Sequence, residues 1–430
     1  MLSGFSYAQD SQYWSKQYGT YGALLGGTVV GAVSDLSATY YNPGAMAFSK
    51  DSTLILTTNS FQFIYINFNN SAVTDLVLDS WYTNASRGIF AIRLPFKWLK
   101  DDQLVVSYIA KQDFNFYSTG YSITPYYSKN YNSDFLLLDL SLFESWYGIT
   151  WSKPVSKNIG FGVTMYVPYR SQRVLRETLM QEYNEVDKTK DLTGVTDINY
   201  YNLRLLWKAG ISAEYKNWMF GLSLTTPSIN LFGSGDVAVI LSKANNDTLS
   251  TVPNLTNNYQ KGISAKYKSP LSIGFGAAYY WEKTVLYFSA EWFNNVSSYL
   301  IMNPDDFIGQ STEKKAQYNI NYSLKSVFNY GFGIKYTLSK NFIYYGSIST
   351  DNTAYDNNNP NALTLSTWDI IHIGSGTQFN FKHLSITFGL SYGYSGNLFK
   401  NFNFLGLFKN ETTDVIYHQI DVVFGFTYSL

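Results

Sequence analysis

The sequence predicts an all-β fold: a transmembrane antiparallel β-barrel of about fourteen strands with an N-terminal plug, or hatch, inside its lumen. Three observations lead there. Charged residues make up 14% of the 430 residues, where a soluble domain carries roughly 25%, yet mean hydropathy is slightly negative. Aromatics reach 18%, with 38 Tyr and 30 Phe, while no run of about 18 apolar residues occurs, which excludes spanning helices. Finally, Val422, Phe424, Phe426, Tyr428 and Leu430 alternate with Val423, Gly425, Thr427 and Ser429. That period of two, with a ring-rich face running to the chain end, is the pattern of a closing strand that meets lipid.

Composition removes several functions. Basic and acidic residues number 31 each, so no basic surplus points to nucleic acid. The chain has no cysteine, hence no disulfide framework, thiolate zinc site or cysteine nucleophile. His372, His383 and His418 are far apart with no Ser/Asp or carboxylate constellation beside them, and no phosphate-binding, dinucleotide-binding or metal-ligand spacing appears. Neither enzyme chemistry nor a cofactor is expected.

Taken in order, residues 1–8 read as the tail of a secretory signal, with the mature chain starting near Gln9. Residues 9–50 are not strand-like: Gly19, Gly22, Gly26, Gly27 and Gly31 interrupt a small-residue run that leads to Tyr40-Tyr41-Asn42-Pro43-Gly44. Such glycine density lets backbone pack closely, and the lumen of a large barrel is the place for it. Residues 51–430 then alternate in strands near 53–68, 87–97, 103–118, 137–153, 158–174, 200–216, 218–232, 262–281, 284–300, 324–339, 341–352, 366–381, 384–399 and 414–430. Short turns such as Lys216-Asn217, Glu282-Lys283 and Lys382-His383 alternate with long loops, among them 119–136, 175–199, 233–261 and 301–323. This asymmetry predicts an outer-membrane barrel of a Gram-negative cell with both termini on the periplasmic, short-turn side.

The run from Gly31 to Ala47, with Asp35 ahead of Asn42-Pro43, resembles the hatch of the FadL family of outer-membrane transporters for long-chain fatty acids and other hydrophobic compounds. The family's Asn-Pro-Ala is matched at Asn42 and Pro43 and departs at Gly44. Gly221 to Pro227, Gly233 to Asp236, Ser269-Pro270-Leu271 and Glu291-Trp292-Phe293 also resemble the family, so the likeness spans most of the chain. It implies passive uptake of a hydrophobic small molecule, hatch gating through Asp35, Asn42 and Pro43, and a lateral exit at a kinked third strand. Here Leu104 to Phe116 holds no Gly or Pro. A β-bulge near Leu142-Phe143 is the rival site, because Leu138, Leu140 and Leu142 share one parity while Phe143, Tyr147, Ile149 and Trp151 share the other.

Parity turns Lys111, Asp113, Glu144, Arg170, Arg204, Lys208, Glu214, Glu291 and Lys335 inward. Arg170 and Arg204 fall at one height with Lys208 a step lower, forming a cationic patch beside inward Tyr166 that suits a carboxylate head group. The competing expectation is an internal network in which these cations pair with Glu144 or with Asp35. The partners implied are the hydrophobic ligand and the lipid or lipopolysaccharide of the outer membrane. Some FadL-like barrels, the PorV type, instead bind or attach exported proteins in type IX secretion, which would make a secreted or surface protein the partner.

Overall fold

The computed structural model describes residues 11–48, 52–69, 78–99, 101–126, 130–184, 188–245, 254–311, 313–356, 363, 366, 368–396 and 414–429. The leader tail 1–8 and the expected start at Gln9 lie outside the described residues. The strands are β1 (Ser52–Asn69), β2 (Leu78–Arg93), β3 (Gln103–Tyr126), β4 (Asn130–Ser156), β5 (Ile159–Asn184), β6 (Lys188–Tyr215), β7 (Trp218–Thr225), β8 (Ile229–Asn245), β9 (Asn254–Ser264) and β10 (Ser272–Trp281). They continue with β11 (Thr284–Phe293), β12 (Val296–Met302), β13 (Phe307–Ile308), β14 (Lys315–Ala316), β15 (Ile320–Leu324), β16 (Val327–Ser339), β17 (Phe342–Asp351), β18 (Ile370–Asn380), β19 (Leu384–Gly396) and β20 (Asp414–Ser429).

The first seven strands, β10, β11 and β16 to β20 pair antiparallel in a closed ring of fourteen staves, and β20 meets β1 from Ser52↔Ser429 to Asn69↔Asp414. The closing strand is therefore the one the terminal alternation pointed to. Closure leaves no edge to aggregate. Lys216 and Glu282, at φ 53° and 50°, open the two-residue turns Lys216-Asn217 and Glu282-Lys283, the left-handed start that primed hairpin turns require. Outward residues such as Leu222, Leu224, Phe275, Phe332 and Phe388 are exposed. A continuous ring of such side chains is a surface built for lipid.

Alternation alone misplaces the loop end. β3 to β6 keep pairing well past the expected loops at 119–136 and 175–199, because polar residues can continue a ladder once lipid no longer demands apolar ones. The outward Arg173 marks that boundary, bonding Asp197 at 2.9 Å and lying 3.7 Å from Asp139.

A second correction concerns β4. Its ladder with β5 runs without a shift from Tyr131↔Tyr183 to Pro154↔Gly160, so no bulge exists at Leu142-Phe143. Leu138, Leu140 and Leu142 are at most 2% exposed and face the lumen, while Tyr147, 53% exposed, faces out. Sequence parity equates apolar with lipid-facing, and that equation fails where the lumen itself is packed. The filling is β12 and β15, a separate two-stranded sheet beyond bends at Asn294-Asn295 and Lys325-Ser326. Their Ile301, Met302, Ile320, Tyr322 and Leu324 share one buried cluster with the β4 leucines, Phe114, Phe116, Val174 and Ile198. The irregularity lies instead in β3, whose register slips between Ala110 and Gln112, leaving Lys111 as the extra residue. The β2–β3 ladder ends just there, at Ile89↔Ile109, although both strands continue.

Candidate functional site

The site is built between the N-terminal segment and the inner wall. Residues 17–48 follow the inside of the ring, and wall glycines mark the path. A side chain at Gly425 would meet Thr20, at Gly376 Leu24, at Gly333 Thr28, at Gly276 the Val30-Gly31 backbone, and at Gly162 the Pro43 carbonyl. Gly26 and Gly27 turn the segment with φ of 59° and 76°, values that only glycine adopts without strain. Asn42, held between a helix at Ala38–Tyr41 and a 3-10 helix at Pro43–Phe48, joins plug to wall. Its Nδ2 donates to the carbonyls of Val30 and Ile211, both at 3.0 Å, and its Oδ1 accepts from the Gly44 amide at 3.1 Å. Asp35 is buried inside the plug and accepts from the amide and hydroxyl of Thr20, at 3.2 and 3.0 Å, and from those of Ser37. Burial raises its pKa, and the bonds from Ser37 and Thr20 draw it back.

Each Asn42 bond contributes about 1 kcal/mol. Asn42→Ala should therefore loosen the plug while the barrel still assembles, which heat-modifiable mobility on gels and ion leakage of the reconstituted protein would register together. Failure to assemble would make the corner purely structural.

Upstream of the plug the chain climbs toward the long loops. Ser11 bonds the Ser366 carbonyl at 2.6 Å, Gln12 donates to the Trp368 carbonyl at 2.6 Å, and the amides of Tyr13 and Trp14 donate to Asp351. The first described residue thus sits at the loop end of the lumen, whereas Ser429 sits at the turn end beside Ser52.

Between this ascending segment and the wall lies a small cavity of about 60 Å³. Tyr13, Tyr40, Trp146, Tyr267 and Phe293 line it with rings, and Lys111, Lys208, Glu144 and Glu291 bring charge. Lys111 is engaged, donating to the Tyr13 carbonyl at 2.9 Å and the Tyr40 hydroxyl at 2.6 Å. Lys208 is not: its ammonium lies 5.0 Å from the Tyr40 ring centroid, and among the described residues no carboxylate lies within ion-pair distance and no acceptor within hydrogen-bond distance, although Glu291 attracts it from further off. Glu291 accepts from Trp14 Nε1 at 2.9 Å and Ser272 Oγ at 2.8 Å.

Arg170 and Arg204 stand side by side, fully buried, and share one carboxylate: Glu144 lies 2.9 Å from Arg170 Nη1 and 2.7 Å from Arg204 Nη2. Arg170 also donates to Gln112, Gln172 and the Tyr200 hydroxyl. The Tyr267 ring covers both guanidiniums at 4.1 and 4.5 Å and separates them from the cavity. On Arg204, Nε and Nη1 are buried with no acceptor among the described residues. Tyr166 is elsewhere, its hydroxyl donating to the Thr39 carbonyl of the plug at 2.8 Å. Trp146 and Tyr267 escaped the sequence reading, although Trp146 shares the inward parity of Glu144 and could have been found by it.

A plugged fourteen-stranded barrel with a charged, ring-lined cavity above the plug is the class of structure these elements define. The chain has the fold of the FadL-type barrels. It is similar to a FadL homologue of Pseudomonas aeruginosa (14% identity, TM-score 0.62, 99% of each chain covered), to the toluene transporter TodX of Pseudomonas putida (13%, 0.60, 97% of this chain and 99% of that one) and to the toluene transporter TbuX of Ralstonia pickettii (10%, 0.54, 100% and 99%). No family model matches the sequence, and no curated protein does.

Proposed function

We propose that the chain is an outer-membrane passive transporter of the FadL type that takes up hydrophobic small molecules carrying an anionic head group, long-chain fatty acids among them. The observation that carries this reading is the cavity: rings to hold an apolar body, and Lys208 with no anion of its own. Around it four cations, Lys111, Arg170, Arg204 and Lys208, face two carboxylates, Glu144 and Glu291, so the surroundings favour an incoming anion. The similar barrels named toluene transporters support the hydrophobic half of the reading. The carboxylate half rests on Lys208.

Release into water would cost about 0.8 kcal/mol per exposed methylene, so exit into lipid is favoured. The gap above Ile89↔Ile109, beside Lys111 of the cavity, supports β2–β3 as that exit. Asn42 and Pro43 hold the gate, and Asp35 keeps its turn rigid.

A charge-assisted hydrogen bond contributes roughly 1.5 to 3 kcal/mol. Lys208→Met should accordingly weaken binding of a long-chain carboxylate by about tenfold or more and leave an alkane of equal length unchanged, as read by titration of the detergent-solubilised protein. Equal weakening of both would mean a distorted cavity, and no change would move the anion site away from Lys208.

One observation favours a second reading, attachment of an exported protein. Where β3 rises beyond the lipid zone, its outer face shows Tyr117, Tyr121 and Ile123, the middle one 81% exposed. If Tyr121→Ser with Ile123→Ser abolished co-purification of a surface protein while ligand uptake persisted, this reading would gain over transport.

A further inference from the structure

The wall has another interruption, between its seventh and eighth staves. β7 pairs with β10 from Trp218↔Tyr279 to Thr225↔Ser272, and pairing resumes between β8 and β9 at Ser234↔Ser264. In between, residues 226–233 face 265–271 without a ladder. Among the described residues, the links across are Ala265 N to Gly233 O at 3.1 Å, Ser228 N to Ser269 O at 3.4 Å, Ser269 N to Ser228 Oγ at 2.9 Å, and the Asn202 amide, which donates to Phe232 O at 3.3 Å and Ala265 O at 3.2 Å.

The sequence explains the gap. Pro227 and Pro270 have no N–H to give, and β8 slips register where Leu203 and Arg204 meet Phe232 and Asn230. The 266–268 backbone bonds away from β8 instead: Lys266 N donates to Ile301 O at 2.9 Å, and Lys268 N to the Tyr299 hydroxyl at 3.0 Å.

Position decides what the gap can do. Thr226 bonds Trp207 in mid-stave, and the outward Arg173–Asp197 pair that marks the lipid boundary lies further toward the loop end of β6. Ile229 and Phe232, 54% and 56% exposed, flank the gap on the outside, while Ser269 and Pro270 line the cavity on the inside. Non-helical backbone without a ladder is tolerated at hydrocarbon depth where it borders a cavity.

We infer that this gap is a second lateral portal, through which membrane-soluble apolar molecules pass between the surrounding lipid and the cavity. The inference rests on the transport reading and adds a route that the third strand does not supply. Its two sides are tied by two backbone bonds, one of them long, by one hydroxyl and by the Asn202 amide, a set that parts more readily than a ladder. The anionic end of a ligand would stay on Lys208, next to Thr225 of the same cavity wall, while the tail moves out between Ser228 and Ser269.

The chain has no cysteine, so engineered pairs report cleanly. Ser228→Cys with Ser269→Cys, oxidised in the full-length barrel, should lower uptake of a long-chain fatty acid by about threefold or more relative to the same protein after reduction, since a disulfide holds its two residues within about 7 Å. Ser80→Cys with Ser118→Cys, both buried on the inner side, closes the β2–β3 gap, where Ser80 Oγ donates to the Tyr117 carbonyl at 2.9 Å, and serves as the comparison. If oxidation of the first pair changes nothing while the second pair blocks uptake, the portal is refuted and transport stands. A reduced protein with no uptake refutes transport, and a second measurement then decides the portal alone. A photoreactive alkane dissolved in the bilayer should label Ser269 and Pro270 of the unmodified chain well above Tyr166, which also faces inward but is sealed by the plug. Labelling of Ser269 and Pro270 no greater than that of Tyr166 overturns the portal.

Discussion

Glu144→Gln should destabilise the barrel by about 3 to 5 kcal/mol, the cost of breaking a buried ion pair. The reason is arithmetic of charge in a dry place. Glu144 is the one carboxylate within ion-pair distance of Arg170 and Arg204 among the described residues, and both guanidiniums are fully buried. Gln preserves shape and the acceptor for Trp146, which donates Nε1 to Glu144 at 2.6 Å, so the loss isolates charge from volume. Arg170 keeps neutral acceptors on Gln112, Gln172 and Tyr200, whereas Arg204 is left with one neutral oxygen shared with Trp146 and with the Tyr267 ring. Glu144→Gln combined with Arg204→Met should therefore regain about half of the loss, a coupling that a double-mutant cycle measures. The readout is the denaturant midpoint of the reconstituted barrel. Unchanged stability in the single variant would mean that water, not Glu144, balances the two arginines.

The other large effect belongs to the plug. A side chain at Gly276 would collide with the amide of Gly31 and with Val30, and interiors packed at crystal density do not absorb such an intrusion. β10 is fixed by ladders on both sides, so the plug must yield. Gly276→Val is expected to raise ion conductance in planar bilayers by about tenfold, with the barrel still folded because the plug contributes no staves. A folded barrel with unchanged conductance would mean that the plug does not seal the lumen at Gly31. Phe275→Ala, one residue away but facing lipid, should leave conductance as it is.

How much of this was readable beforehand follows from which physical rule each feature obeys. The stave count, the closing strand and the tight turns at Lys216 and Glu282 were legible because lipid imposes a period of two on one face and hairpins impose their own turn chemistry. Asn42-Pro43 stood out through its resemblance to the FadL hatch motif, on residues alone being only a turn signal. The β4 leucines misled, since alternation shows that two faces differ without saying which one meets lipid. The bend at Asn294-Asn295 that turns β12 inward was missed because the strand expected at 284–300 runs straight through it. Juxtaposition of Arg170, Arg204 and Glu144 did follow from register, because Glu144 pairs directly with Arg170. What parity cannot supply is depth: Tyr267, from the adjoining segment, lies over the arginines, so the cations that line the cavity are Lys208 and the already engaged Lys111.

The central claim, passive uptake of a hydrophobic anion through a plugged lumen, is tested most directly by uptake itself. Cells whose own outer-membrane route for long-chain fatty acids has been deleted would express this chain, and accumulation of a radiolabelled long-chain carboxylate would be followed beside that of the alkane of equal length. The account predicts carboxylate uptake that saturates, falls with Lys208→Met and persists when the energy supply of the cell is collapsed during the first seconds. Carboxylate uptake no faster than in cells without the protein, with the barrel folded in the outer membrane, would contradict it.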